Sequence, residues 1–195
     1  MYGKIRLGIP SEFATVLLPK IVSRFAKAYP NVTLEVNCEL SKHLLTKAGR
    51  ENHDLILALA DQHADLDADL VKKDELVWVS SENFKHTKEG ALPLIVASEG
   101  CIYRHTAITS LNNADLSWQI VYTNPDLTGI QYAIQEGLGV TVLARSTVPE
   151  NLHILSTSTG LPSLDNVSIN LICNEQRRSD EAIGLLKEFL TTSLT

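Results

Sequence analysis

Gln119-Ile-Val-Tyr-Thr123, Asn124-Pro-Asp126, an apolar-periodic segment to Glu136, Gly137-Leu-Gly139 and Val140-Thr-Val-Leu-Ala144 follow one another without a break. This reads as strand, turn, helix, glycine stop and strand. Leu127, Ile130, Ile134 and Leu138 recur at three- and four-residue steps, which places them on one helical face. Asn124 or Asp126 can cap the helix start, and Gly137 suits the left-handed residue past its end. The closing strand is apolar with little alternation, as expected of a strand covered on both faces in a parallel sheet. Such a compact unit crosses over right-handedly.

The same grammar runs through the rest of the chain. Lys4–Ile9 is a first strand, ended by Pro10, and Ser11-Glu12 opens a helix with Leu18, Ile21, Val22 and Phe25 on one face. Pro19 suits a first turn or a kink better than a helix middle. Val32–Cys38 is a second strand. Ser41 caps a short helix that carries Leu44, Leu45 and Ala48 and stops at Gly49. Asp54–Leu59 is a buried strand, Asp61–Asp69 a charged loop, and Leu76–Val79 another strand. Ser80–Gly90 is polar and turn-rich, a candidate connector. After it come a strand at Leu92–Ala97, a loop at Ser98–Arg104 and a helix at His105–Ala114. A short strand near His153–Leu155, a strand at Val167–Cys173 and a helix capped by Ser179 or Asp180 close the chain. Two successive β/α blocks give an α/β fold of two small subdomains.

The totals exclude several classes. With 195 residues, 44% hydrophobic and 21% charged, the composition is that of a soluble globular protein. A net charge of −6 does not favour nucleic-acid backbone. No apolar run approaches the roughly 18–20 residues that span a bilayer, and no signal peptide opens the chain. Cys38, Cys101 and Cys173 are odd in number, far apart and in no CxxC spacing, so reduced thiols and a cytoplasmic location are expected. The six histidines are not spaced for a metal, and no cofactor is expected. Trp78 and Trp118 are read as packing residues; Tyr103 and Tyr122 either pack in the core, the default, or line a ligand cleft.

The ordered set Gly3–Ser11, Leu17-Leu-Pro19, Phe25, Tyr29–Leu34, Asp54–Leu57, Val77–Val79 and Gln135–Val142 resembles the effector-binding domain of LysR-type transcriptional regulators. The resemblance covers nearly the whole chain. It implies the fold of type II periplasmic binding proteins: two Rossmann-like subdomains joined by two crossovers, with an inter-lobe cleft. It implies that the chain returns to the first subdomain near Leu164–Asn166, so residues 1–80 with 166–195 form subdomain I and 81–165 subdomain II. It also implies a homodimer or tetramer, with the helix face of Leu18, Ile21, Val22 and Phe25 at the dimer interface. The helix-turn-helix module that such regulators carry first does not occur in these residues, so DNA contact is expected from another part. Where many members carry a basic residue, this sequence has Ala60-Asp61.

Ligands of open parallel sheets bind beyond the carboxyl ends of strands, where helix N-termini offer free N–H groups and partial positive charge. Four loops qualify. They contain Ser11 and Glu12; Cys38 and Glu39; Ser98, Gly100, Cys101 and Arg104; and Thr123 and Asn124. Hydroxyls at Ser11, Ser98 and Thr123 both donate and accept. Arg104 either forks a ligand carboxylate or pairs with Glu99 on the surface. The expected function is a sensing domain that holds a small polar or anionic effector, changes subdomain angle and oligomer packing, and so controls DNA binding. A solute-binding protein of the same fold is the alternative. A cysteine-dependent enzyme using Cys101 lacks any motif that supplies its base, so no enzyme is expected.

Overall fold

The computed structural model describes residues 3–87 and 89–195, the side chain of Thr157 excepted; Lys88 of the expected connector lies outside them. The chain divides into two units, Met1–Lys73 with Ser168–Thr195, and Asp74–Val167. The sequence places these boundaries later, after Ser80, and earlier, near Asp165. The structural division falls instead inside two continuous strands, β4 (Asp69–Ser80) and β9 (Asn166–Cys173). Composition marks the polar loops, whereas the passages run inside strands, one of them through the charged stretch Lys72–Glu75.

In the first unit, β1 (Gly3–Ile9) pairs in parallel with β2 (Val32–Cys38), from Gly3 opposite Val32 to Ile9 opposite Cys38. On its other edge β1 pairs in parallel with β3 (Leu55–Asp61), giving the order β2-β1-β3-β9. Leu7, Ile9, Leu55 and Leu57 are fully buried. α1 (Ser11–Ala28) and α6 (Glu181–Leu194) pack on each other. α6 buries Ala182, Ile183, Leu186, Leu190 and Leu194, and its cap is Asp180, whose carboxylate accepts from the Ala182 and Ile183 amides.

Several expectations need correction here. α1 continues through Pro19, which lies in its middle and not in a first turn. Proline removes the amide that would serve the Thr15 carbonyl, but Thr15 and Pro19 are both exposed, so water can serve it. The face assigned to a dimer interface is core: Leu18 is 6% exposed and Ile21 and Phe25 each 1%, with Val22 only half-buried. Its apolar stripe packs within its own chain. Gly49 does not stop a helix. It sits within α3 (Lys47–Asn52), after α2 (Ser41–Leu44), where a Cβ would come within 2.4 Å of the His43 and Leu44 carbonyl oxygens. The break between them is made by Thr46, which caps α3 by accepting from the Gly49 amide.

In the second unit, β5 (Leu92–Val96) and β6 (Trp118–Thr123) pair in parallel. α4 (Ile102–Asn113) joins them. α5 (Leu127–Gln135) then leads to β7 (Thr141–Ala144). Val140, just ahead of β7, bridges Leu94 in parallel. All of β7 is buried as expected, but its ladder runs antiparallel to β4, from Leu76 opposite Ala144 to Val79 opposite Thr141. β4 lies outside the strand–helix–strand series, so its direction is not set by that series. β8 (His153–Ile154) also pairs antiparallel with β4. The buried Asp74 carboxylate accepts from the Ser146 amide at 3.1 Å and from the Ser146 hydroxyl, which fixes the exit of β7. Leu138 is 44% exposed, not on the buried face. It follows the left-handed Gly137 (φ 77°), which turns the chain off the helix axis.

Candidate functional site

In the first unit the carboxyl end of β1 runs directly into α1. Pro10 is the cap residue, in extended conformation (φ −63°, ψ 147°), and no side chain caps the helix. Proline has no side-chain acceptor, so it caps none of the first-turn amides. Ser11 and Glu12 are half-buried there. The neighbouring strand end brings Cys38 and Glu39 alongside, because the Glu39 amide donates to the Ile9 carbonyl at 3.2 Å. Both residues are exposed. Ser41 does not cap α2; its hydroxyl accepts from the Leu59 amide at 2.8 Å and ties the loop to β3.

The second unit repeats the arrangement. β5 ends at Val96, and Ser98 and Glu99 follow, then Gly100 in the left-handed region (φ 86°). Cys101 is the extended cap residue of α4, and again no side chain caps the helix. α4 starts at Ile102, earlier than its apolar pattern suggests, so Tyr103 and Arg104 lie in its first turn rather than in a loop. Thr123, at the exposed end of β6, is brought beside this loop by the Asn124 amide, which donates to the Val96 carbonyl at 3.0 Å.

Two predicted site side chains are engaged within the protein. Arg104 donates from Nη1 to the Ala97 carbonyl at 3.1 Å, with Glu99 Oε1 3.8 Å from Nη2. Asn124 accepts the Asp126 amide at Oδ1 (2.9 Å) and donates from Nδ2 to the Tyr122 hydroxyl (3.0 Å). Asp126 in turn caps α5 by accepting the Thr128 amide. Tyr122, whose default reading from the sequence is core packing, is 36% exposed, because β6 is a sheet edge with only one ladder. Trp78 is buried as expected, with its indole N–H on the Pro162 carbonyl.

Sequence reasoning missed one charged cluster in the first unit. Asp54, 1% exposed, accepts from the Arg6 amide (2.8 Å), Arg6 Nε (3.3 Å) and Arg6 Nη2 (2.9 Å), and lies 3.2 Å from Arg177 Nη1. Arg177 also binds Asp180 Oδ2 at 2.6 Å and the Lys4 carbonyl at 2.9 Å. Burial pushes the Asp54 carboxyl up, but the Arg6 hydrogen bonds and the Arg177 charge outweigh it and hold it below the usual range. The cluster clamps the start of α6 to the sheet. An acid just ahead of a buried apolar strand was its one local trace.

Among the described residues no group of three or more His, Cys, Asp or Glu side chains could hold a metal ion, and no helix is long and apolar enough to cross a membrane. Each unit by itself offers, at its strand ends, a helix start with no side-chain cap together with hydroxyls and carboxylates. Helix starts of this kind attract anions.

Residues 2–195 match the LysR substrate binding domain family. The chain is 26% identical over 178 residues to the HTH-type transcriptional regulator DgdR of Burkholderia cepacia, covering 91% of this chain and 60% of the relative. It spans about half to three fifths of the length of such curated relatives. In fold it is similar to the bromide-bound regulatory domain of HypT from Salmonella typhimurium, with a TM-score of 0.76 at 15% identity, covering 100% of this chain and 97% of that one. It is also similar to the effector binding domain of QuiR in complex with shikimate, with a TM-score of 0.66 at 17% identity, covering 98% and 97%. With a family model matched from end to end, the chain belongs to the LysR substrate-binding-domain family.

Proposed function

We propose that this domain senses a small polar or anionic effector for a LysR-type transcriptional regulator, each unit by itself offering a helix start with no side-chain cap, that of α1 in one and that of α4 in the other. The observation that carries the reading is the repeated junction: β1 into α1 and β5 into α4, each helix beginning with no side-chain cap. Amides at a helix start and the positive end of the helix dipole favour a carboxylate or another anion there. Similar domains have been seen with bromide and with shikimate. We assign its contacts to Ser11, Glu12, Cys38 and Glu39 where it meets the first unit, and to Ser98, Gly100, Cys101 and Thr123 where it meets the second. Arg104 and Asn124 support the second set.

Binding shifts the populations of the domain's conformations. In a homodimer or tetramer that shift changes subunit packing, and through it the DNA affinity of a helix-turn-helix module elsewhere in the regulator. The site acts in the cytoplasm and performs no reaction. The test is a thermal-shift screen of the chain against carboxylate and phosphate metabolites. A compound at 100 times its Kd should stabilise the fold by about 2.7 kcal/mol. Ser11→Ala and Ser98→Ala should each weaken that compound's binding. A hit whose affinity ignores both changes would move the site elsewhere.

A further inference from the structure

We infer that Arg104 is a positioning residue for the Ser98–Cys101 loop and not a ligand for the effector. The inference rests on the proposed role of that loop in effector binding. Its side chain is only 18% exposed, so the guanidinium is turned into the unit. There it grips the Ala97 carbonyl, the first acceptor past the end of β5, at 3.1 Å. The contact spans the whole loop, from its first residue to the first turn of α4. Inside that span the Cys101 amide returns to the Ser98 carbonyl at 3.2 Å and Gly100 takes φ 86°. The loop is thus closed at both ends, and its course sets where the α4 amides point.

Two further points favour the carbonyl over the carboxylate as the working partner. Glu99 stands 3.8 Å away and is 90% exposed, so water screens that pair. A cation in the first turn of a helix opposes the helix dipole, and an inward carbonyl acceptor offsets that cost. The small cavity that Arg104 helps to line, with Ala97, Cys101, Ala107, Thr141 and Leu143, is mostly apolar.

Amide hydrogen exchange on the 195-residue chain without any ligand tests this. Arg104→Ala should speed exchange across residues 98–103 about tenfold and leave residues 168–173 of β9 unchanged. Arg104→Lys, whose ammonium can donate to the same carbonyl, should restore part of the protection. Glu99→Gln should exchange as the parent does. Parental exchange at 98–103 in Arg104→Ala overturns the inference, and so does Glu99→Gln matching the alanine variant. If Arg104→Ala loses protection throughout, Arg104→Gln decides: faster exchange confined to 98–103 supports the strut, and parental exchange there rejects it. No effector enters the measurement, so failure of the proposed function leaves this result standing.

Discussion

Asp54 shows what single residues contribute here. It is a carboxylate at 1% exposure with three donors from Arg6 and a second guanidinium from Arg177. Removing one partner from a buried ionic cluster leaves the rest uncompensated, which costs about 3–5 kcal/mol. Asp54→Ala should lose that much, read from urea unfolding. The pH dependence follows from the direction of the shifts. Arg177 also holds the Asp180 carboxyl below its ordinary value, helped by the cap bonds from Ile183 and Ala182. Both acids bind protons more weakly folded than unfolded, so their stabilisation is fully present above the usual carboxylate value of 3.8 and lost as pH falls through the lower folded values. The melting temperature should therefore drop steeply only below about pH 4, and Asp54→Ala should flatten that drop. None of this was legible beforehand, because Arg6 and Arg177 are distant in sequence and no spacing rule joins them to Asp54. The places of Ser11, first in α1, and of Ser98, in the loop after β5, were legible, since local punctuation sets them: Pro10 before one and an apolar strand before the other.

At the scale of elements, the segment from α5 to β7 shows where local pattern suffices. The Gly137 amide donates to the Ile134 carbonyl at 2.9 Å and the Leu138 amide to the Ala133 carbonyl at 3.1 Å, a Schellman ending that the Gly137 position announces. Gly139 has a different reason to be glycine. A Cβ there would stand 2.4 Å from the Pro93 carbonyl oxygen, which accepts from the Val140 amide at 2.9 Å. Gly137→Ala meets open space and should cost about 1–2 kcal/mol for its left-handed backbone alone. Gly139→Ala must push two backbones apart and should cost more, about 2–3 kcal/mol. Denaturant unfolding of the two variants gives the order, and a larger loss at Gly137 would contradict the packing argument. The same scale shows where pattern fails. Pro19 and Gly49 follow the rules for helix breakers only when the lost contact matters; one lies in water and the other under two carbonyls. The antiparallel ladder between β4 and β7 joins segments far apart in sequence, and apolar runs carry no direction.

For the whole molecule, the return of the chain to its first unit came from resemblance to a family, since no periodicity in one segment can state which distant segment it joins. Charge, by contrast, is a global property the sequence states outright. With 23 acidic against 17 basic side chains, the net charge is −6. Affinity for duplex DNA rests largely on released counterions, and an acidic surface releases few. The relatives this chain matches are titled HTH-type transcriptional regulators, and the chain spans only about half to three fifths of them. If the domain senses and another module grips DNA, the isolated chain should show no affinity tighter than about 10⁻⁴ M for duplex DNA at about 150 mM salt. Fluorescence anisotropy with a labelled duplex measures this directly. Micromolar binding with a steep salt dependence would mean that a basic face is assembled from this chain despite its net charge. The division of labour proposed here would then be wrong, even with effector binding intact.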